Sequence, residues 1–83
     1  MKDIKMVASD FPSDLVDKNG HRIYEDDVIY DGEDYYRIYW NPRFPQVEAI
    51  GGGGYIHNIT QKDLSRFERI GPFEENEELM VFD

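Results

Sequence analysis

Apolar and polar positions alternate most regularly in YYRIYW, residues 35–40. Period-two spacing puts Tyr36, Ile38 and Trp40 on one face of a strand and Tyr35, Arg37 and Tyr39 on the other. The first set is expected to face a core. Upstream, the pattern predicts a strand over about Ile23–Tyr30, interrupted by acids and bracketed by turns at Asn19-Gly20 and Asp31-Gly32. Downstream, the prolines of NPRFP break the ladder and predict a turn, after which QVEAI resumes a strand. YIHNI follows the glycine run as another candidate strand. Thr60 opens TQKDLSRF with a carboxylate three residues later, the spacing of a capping box, which predicts a helical turn near residues 61–66. FERI makes a last strand closed by Gly71-Pro72. EENEELMVF is expected as a terminal helix or tail with Leu79, Met80 and Phe82 partly buried. The fold class is mainly β: a small curled sheet or an SH3-like barrel, with a short helical segment and a C-terminal helix or tail.

At 83 residues the chain holds one domain, and a domain of this size buries only about 60–65% of the surface its unfolded form exposes. Residues 15–83 are expected to form it, with residues 1–14 a separate N-terminal segment that is mobile or docks on binding. The chain has no cysteine, so disulfides and thiolate metal sites are excluded and self-association becomes an alternative source of stability. No apolar run approaches the roughly 20 residues of a membrane-spanning helix, and the polar start lacks the pattern of a signal peptide. A cytoplasmic protein is expected.

Charge narrows the partners. With 18 acids against 9 bases the formal net charge is −9. Direct nucleic-acid binding requires positive charge to displace counterions, so it is disfavoured, whereas a basic protein surface suits this chain. The acids cluster at Glu25, Asp26, Asp27, Asp31, Glu33 and Asp34, and again at Glu74, Glu75, Glu77 and Glu78. Between these blocks Lys62, Arg66 and Arg69 tip residues 51–70 slightly basic.

The segment DKNGHRIYEDDVIYDG resembles the signature of the YopX family of small phage and prophage proteins. Asp17, Lys18, Asn19 and Gly20 match its turn, Ile23-Tyr24-Glu25 the following step and Asp27-Val28-Ile29 its strand. Asp26 departs from that pattern, standing where the family usually carries glycine. Near the other end, Ile70, Gly71, Phe73, Glu75, Asn76 and Leu79 match the family's closing segment. The resemblance spans roughly residues 15–80. It implies a bacterial host cell, a compact β fold and an accessory role without established biochemistry, and it carries over no catalytic residue.

Candidate chemistry is sparse. His21 and His57 suit a metal by residue type, but nothing in their spacing converges three or four ligands, so no metal or cofactor is expected. Gly51–Gly54 leads into a strand, not a helix, which favours a strand-breaking bulge or a flexible hairpin tip over a phosphate cradle. Neighbouring carboxylates on a strand point to opposite faces and do not share a proton. The expectation is therefore a protein without enzymatic activity, with a small hydrolase using His21 or His57 as base the alternative.

Two surfaces are candidates for binding a protein partner or a second copy. One is the aromatic face of Tyr35, Arg37 and Tyr39, since tyrosine and arginine anchor interfaces; its competing use is packing under Leu79 or Phe82. The other is the acidic array Asp26, Asp27, Asp31, Glu33 and Asp34, which would let an acidic inhibitor imitate a phosphate backbone towards a host nucleic-acid-binding or defence protein.

Overall fold

A computed structural model describes residues 10–80, which form a five-stranded antiparallel sheet with short helical turns. The strands are β1 (Asp27–Tyr30), β2 (Tyr35–Asn41), β3 (Gln46–Gly51), β4 (Gly54–Ile56) and β5 (Glu68–Pro72). Their spatial order is β4-β3-β2-β1-β5. β4 and β5 are free edges, so the sheet is open: of the two expected architectures the curled sheet holds and the closed SH3-like barrel does not.

Short connections set the register. Asp31 shapes the β1–β2 turn by accepting from the amides of Glu33 and Asp34, at 2.8 Å each. The β2–β3 turn is the proline-bounded stretch of residues 42–45, and it pairs Asn41 with Gln46 and Trp40 with Val47. Gly52 and Gly53 form the β3–β4 hairpin tip. Gly51 has no room for a side chain, because a β-carbon there would lie 1.9 Å from the Tyr35 carbonyl oxygen.

Period-two alternation decides which residues are buried. Tyr36 and Ile38 on β2, Val47 and Ala49 on β3 and Ile29 on β1 share one face, with Trp40 and Ile56 packed at its margin. The connection from β4 to β5 joins opposite edges and so must cross this face. It carries Ile59, Leu64 and Phe67 into the core, where the Phe67 ring meets Tyr36 edge-on at 5.7 Å. A single helical turn, α1 (Gln61–Leu64), lies on that path, and Thr60 and Asp63 close the expected capping box around it. Leu15 and Ile23 complete the cluster from the N-terminal side, while Phe11 packs edge-on against Trp40 at 6.3 Å.

Two elements differ from the pattern-based expectation. The strand anticipated from Ile23 begins only at Asp27, because the chain bends at Glu25-Asp26, where Asp26 takes a φ of 70°. That left-handed conformation is disfavoured by a β-carbon and tolerated best by glycine, then by Asn and Asp. The C-terminal segment is two 3-10 turns, Phe73–Glu75 and Glu77–Met80, not an α-helix. Leu79 and Met80 are half-buried as anticipated, and Phe82 lies outside the described residues, as does most of the N-terminal segment.

Candidate functional site

The five acids expected to act together are dispersed. Asp27 is 1% exposed and is withdrawn from any surface array. Its carboxylate receives Arg69 through Nε at 2.6 Å and Nη2 at 3.1 Å and accepts the Tyr24 amide at 2.7 Å. The guanidinium is held charged by that bond, which raises its pKa further. Asp26 lies before β1, whereas Asp31, Glu33 and Asp34 follow it. Four residues of strand separate the two groups by about 13 Å. Asp31 is occupied by its own turn, whose backbone amides hold its carboxyl below the ordinary range. Asp34 lies beside the hairpin tip, next to Gly52 and Gly53.

The face carrying Tyr35, Arg37 and Tyr39 is turned away from the core, as alternation requires. Half of it is covered. The Arg37 guanidinium lies 3.7 Å from the Phe73 ring centre and 5.3 Å from that of Tyr39, and its Nε donates to Asp26 at 3.1 Å. Val28, opposite Arg37 in the ladder, is fully buried. The last 3-10 turn packs beside β2, and Tyr35 stacks on Tyr30 with ring centres 4.5 Å apart. The C-terminal segment therefore covers the β1–β2 half, with Phe73 over Arg37 and the turn that carries Leu79 beside β2; Phe82 lies outside the described residues. Between the lid and the β1 bend runs a cleft of about 360 Å³ lined by Glu25, Asp26, Arg37, Pro72, Phe73 and Glu74.

Among the described residues the β3–β4 half of the same face has no such cover. Ile50 and Tyr55 are direct cross-strand partners and are 41% and 49% exposed. Phe44, at the β2–β3 turn, is 65% exposed. Beside them lies a polar centre. Glu48 is 4% exposed and accepts from Tyr55 Oη, from Gln46 Nε2 at 2.7 Å and from Asn41 Nδ2 at 2.9 Å. His57 Nδ1 stands 4.0 Å from the same carboxylate, and its ring lies against Tyr55 with centres 4.1 Å apart.

These contacts define what Glu48 does. The Tyr55 hydroxyl, then the Gln46 and Asn41 amides, hold its carboxyl below the ordinary range, and Glu48 in turn pushes the Tyr55 phenol up. A carboxylate so stabilised is a weak base, and a phenol so raised is a poor nucleophile. The arrangement is a clamp that ties β2, β3 and β4 together across the face and orients Tyr55. His21, the other candidate base, is exposed and stands 3.7 Å from the buried Asp17 carboxylate, far along the chain from this centre. Among the described residues no three potential metal ligands come together, and no helix is long and apolar enough to cross a membrane.

Sequence reasoning pointed to the outward face of β2, and the exposed apolar pair of that face, Ile50 and Tyr55, lies on β3 and β4. Alternation in QVEAI already places Glu48 and Ile50 beside Tyr39, and this was the available signal. What pattern could not supply was where the C-terminal turns come to rest.

No protein-family model matches this chain, and neither a curated protein nor a solved structure does.

Proposed function

We propose that this protein is a non-enzymatic binding module that takes a basic protein partner on the β3–β4 half of its second sheet face. The observation that carries this reading is the exposed Ile50–Tyr55 pair on the β3–β4 half of that face, uncovered among the described residues. An isoleucine and an oriented tyrosine beside half-buried Tyr39 supply an apolar and aromatic centre of the type that anchors interfaces. The charge of the partner follows from complementarity. The chain carries −9, and Glu74, Glu77 and Glu78 are exposed on the C-terminal turns, the second of which packs beside β2.

The same charge opposes association of two copies, so a homo-oligomer is the second reading. The matches at residues 17–29 and 70–79 support a phage or prophage accessory protein of YopX type, and a left-handed residue at the position of the family's usual glycine is in keeping with them. The narrower role of phosphate mimic, built on Asp26, Asp27, Asp31, Glu33 and Asp34, loses Asp27 to burial and is divided by β1.

The test is capture from host lysate at low salt on immobilised wild type and on Ile50→Glu, with elution by a salt gradient. A basic protein retained by wild type, released by modest salt and lost in Ile50→Glu is the expected result. Equal retention by the two would overturn the assignment to this patch. A discrete dimer in light scattering that Ile50→Glu dissociates would replace the basic partner with a second copy.

A further inference from the structure

The Asn19-Gly20 pair shapes the first turn, but its chemistry extends beyond turn formation. We infer that Asn19 is a site of spontaneous deamidation, held in check by the folded turn around Asp17 and released when that turn opens.

The reaction needs an electrophile and a nucleophile from adjacent residues. The Gly20 backbone nitrogen attacks Asn19 Cγ, forming a C–N bond and giving up its proton to solvent. The Cγ–Nδ2 bond breaks and ammonia leaves, so that a five-membered imide closes. Water then opens the imide at either carbonyl, giving aspartate or isoaspartate. No oxidant, metal or enzyme enters, and water is the only co-reactant.

The structure treats the two reactants differently. Both residues are exposed, and the Asn19 carboxamide has no hydrogen-bond partner among the described residues, so the electrophile is free. The nucleophile is held. The Gly20 amide donates to the Asp17 carbonyl at 3.0 Å, with Gly20 at a φ of 83°. Around it the turn is fastened at several points. Asp17 Oδ1 accepts the amides of Asn19 at 2.9 Å and His21 at 2.8 Å, and Oδ2 accepts that of Arg69 at 2.7 Å. The Asp17 amide donates to the His21 carbonyl at 2.8 Å, and that of Lys18 to the Phe67 carbonyl at 2.9 Å. Attack therefore requires the Gly20 amide to leave the turn, and its rate follows local opening.

Other asparagines lack this combination. Asn41 precedes Pro42, which has no N–H. Asn58 precedes the β-branched Ile59, whose amide donates to Val47 at 2.7 Å. Asn76 has its carboxamide engaged with the Pro72 carbonyl at 2.8 Å. The consequence at Asn19 is more than an added charge. Isoaspartate lengthens the backbone by a methylene inside the turn that converges on buried Asp17, so each event weakens the tie between residues 17 and 69.

The experiment incubates the full chain in mildly alkaline buffer without urea, at graded sub-denaturing urea and in fully unfolding urea. Samples are cut with an endoproteinase specific for the N-terminal side of aspartate. Unmodified chain and the isoaspartate product release residues 17–25 intact, differing by the mass gain of amide-to-acid conversion, whereas the aspartate product is cut anew before residue 19. Conversion in unfolding urea is expected to exceed that in native buffer by about tenfold or more, with intermediate urea between them. Gly20→Ala should slow the unfolded rate. Equal rates in native and unfolding conditions would overturn the gate, and absence of conversion at Asn19 in urea would overturn the site.

Discussion

Two buried carboxylates, on strands that flank the central β2, solve the same problem in opposite ways. Asp27, at the start of β1, faces a formal positive charge: Arg69 grips it through two nitrogens, and Tyr24 lends a backbone amide. Glu48, in the middle of β3, faces neutral donors from Tyr55, Gln46 and Asn41, with His57 at the margin. The first device ties the β1–β5 pair to the bend that precedes it and contributes to packing alone. The second leaves a tyrosine oriented at an uncovered surface. The charge pair fastens one strand to the next, whereas the neutral donors around Glu48 hold polar and aromatic groups at the exposed face.

Removing Asp27 should produce the largest effect. Breaking a buried ion pair on one side costs about 3–5 kcal/mol, reduced here to about 2–4 because the Arg69 side chain is 28% exposed. Asp27→Ala is expected to lower the urea midpoint accordingly, and a loss below about 1 kcal/mol would mean that Arg69 is resolvated without penalty.

Acid should have the next largest effect. Burial pushes the Asp17 carboxyl up, but amides from Arg69, His21 and Asn19 outweigh it, and the net shift is downward, as it is for Glu48. A depressed folded pKa means that the unfolded chain binds more protons. The resulting stability is present above the unfolded value, 3.8 for aspartate and 4.5 for glutamate, and is lost as pH falls through the folded values. The melting temperature is expected to hold steady from neutrality to about pH 5 and to fall below it. Glu48→Gln should flatten part of that fall. An unchanged acid limb in Glu48→Gln would show that the clamp stabilises the neutral and ionised forms equally.

At neutral pH Glu48→Gln should be milder than Asp27→Ala, since the amide keeps the shape and an acceptor for Tyr55. Measured urea midpoints in the reverse order would break the comparison at its root. The smallest effect is expected from Asp26→Gly. It relieves a left-handed backbone, at the expense of the exposed Arg37 pair and a more flexible unfolded chain, for a net gain of about 0.5 kcal/mol. A clear loss would show that the Asp26 carboxylate is needed to hold Arg37 under Phe73.

Adjacent Asp26 and Asp27 show how far sequence reading reaches. They are chemically identical and neighbours in one acidic run, yet one is exposed and the other 1% exposed. Nothing local distinguishes them, because the deciding group is Arg69, 42 positions away. Tyr55 is similar: its strand was legible, but its exposure depends on where distant turns pack. The setting of Arg37 was hidden for the same reason, because Phe73 comes to lie over its guanidinium.

What the sequence by itself determined is whatever depends on neighbours in the chain. The alternation of β2, the Asn-Gly and Asp-Gly turns, the proline-bounded link, the glycine hairpin tip and the Thr60 cap all follow from backbone preferences and periodicity within a few residues. Tertiary structure alone decided that the sheet stays open, that the C-terminal segment winds into 3-10 turns over one half of a face, and which of many acids are buried. Those outcomes rest on contacts between residues far apart in sequence, where closing a long loop is offset only by the specific side chains that meet, and a one-dimensional pattern does not record who meets whom.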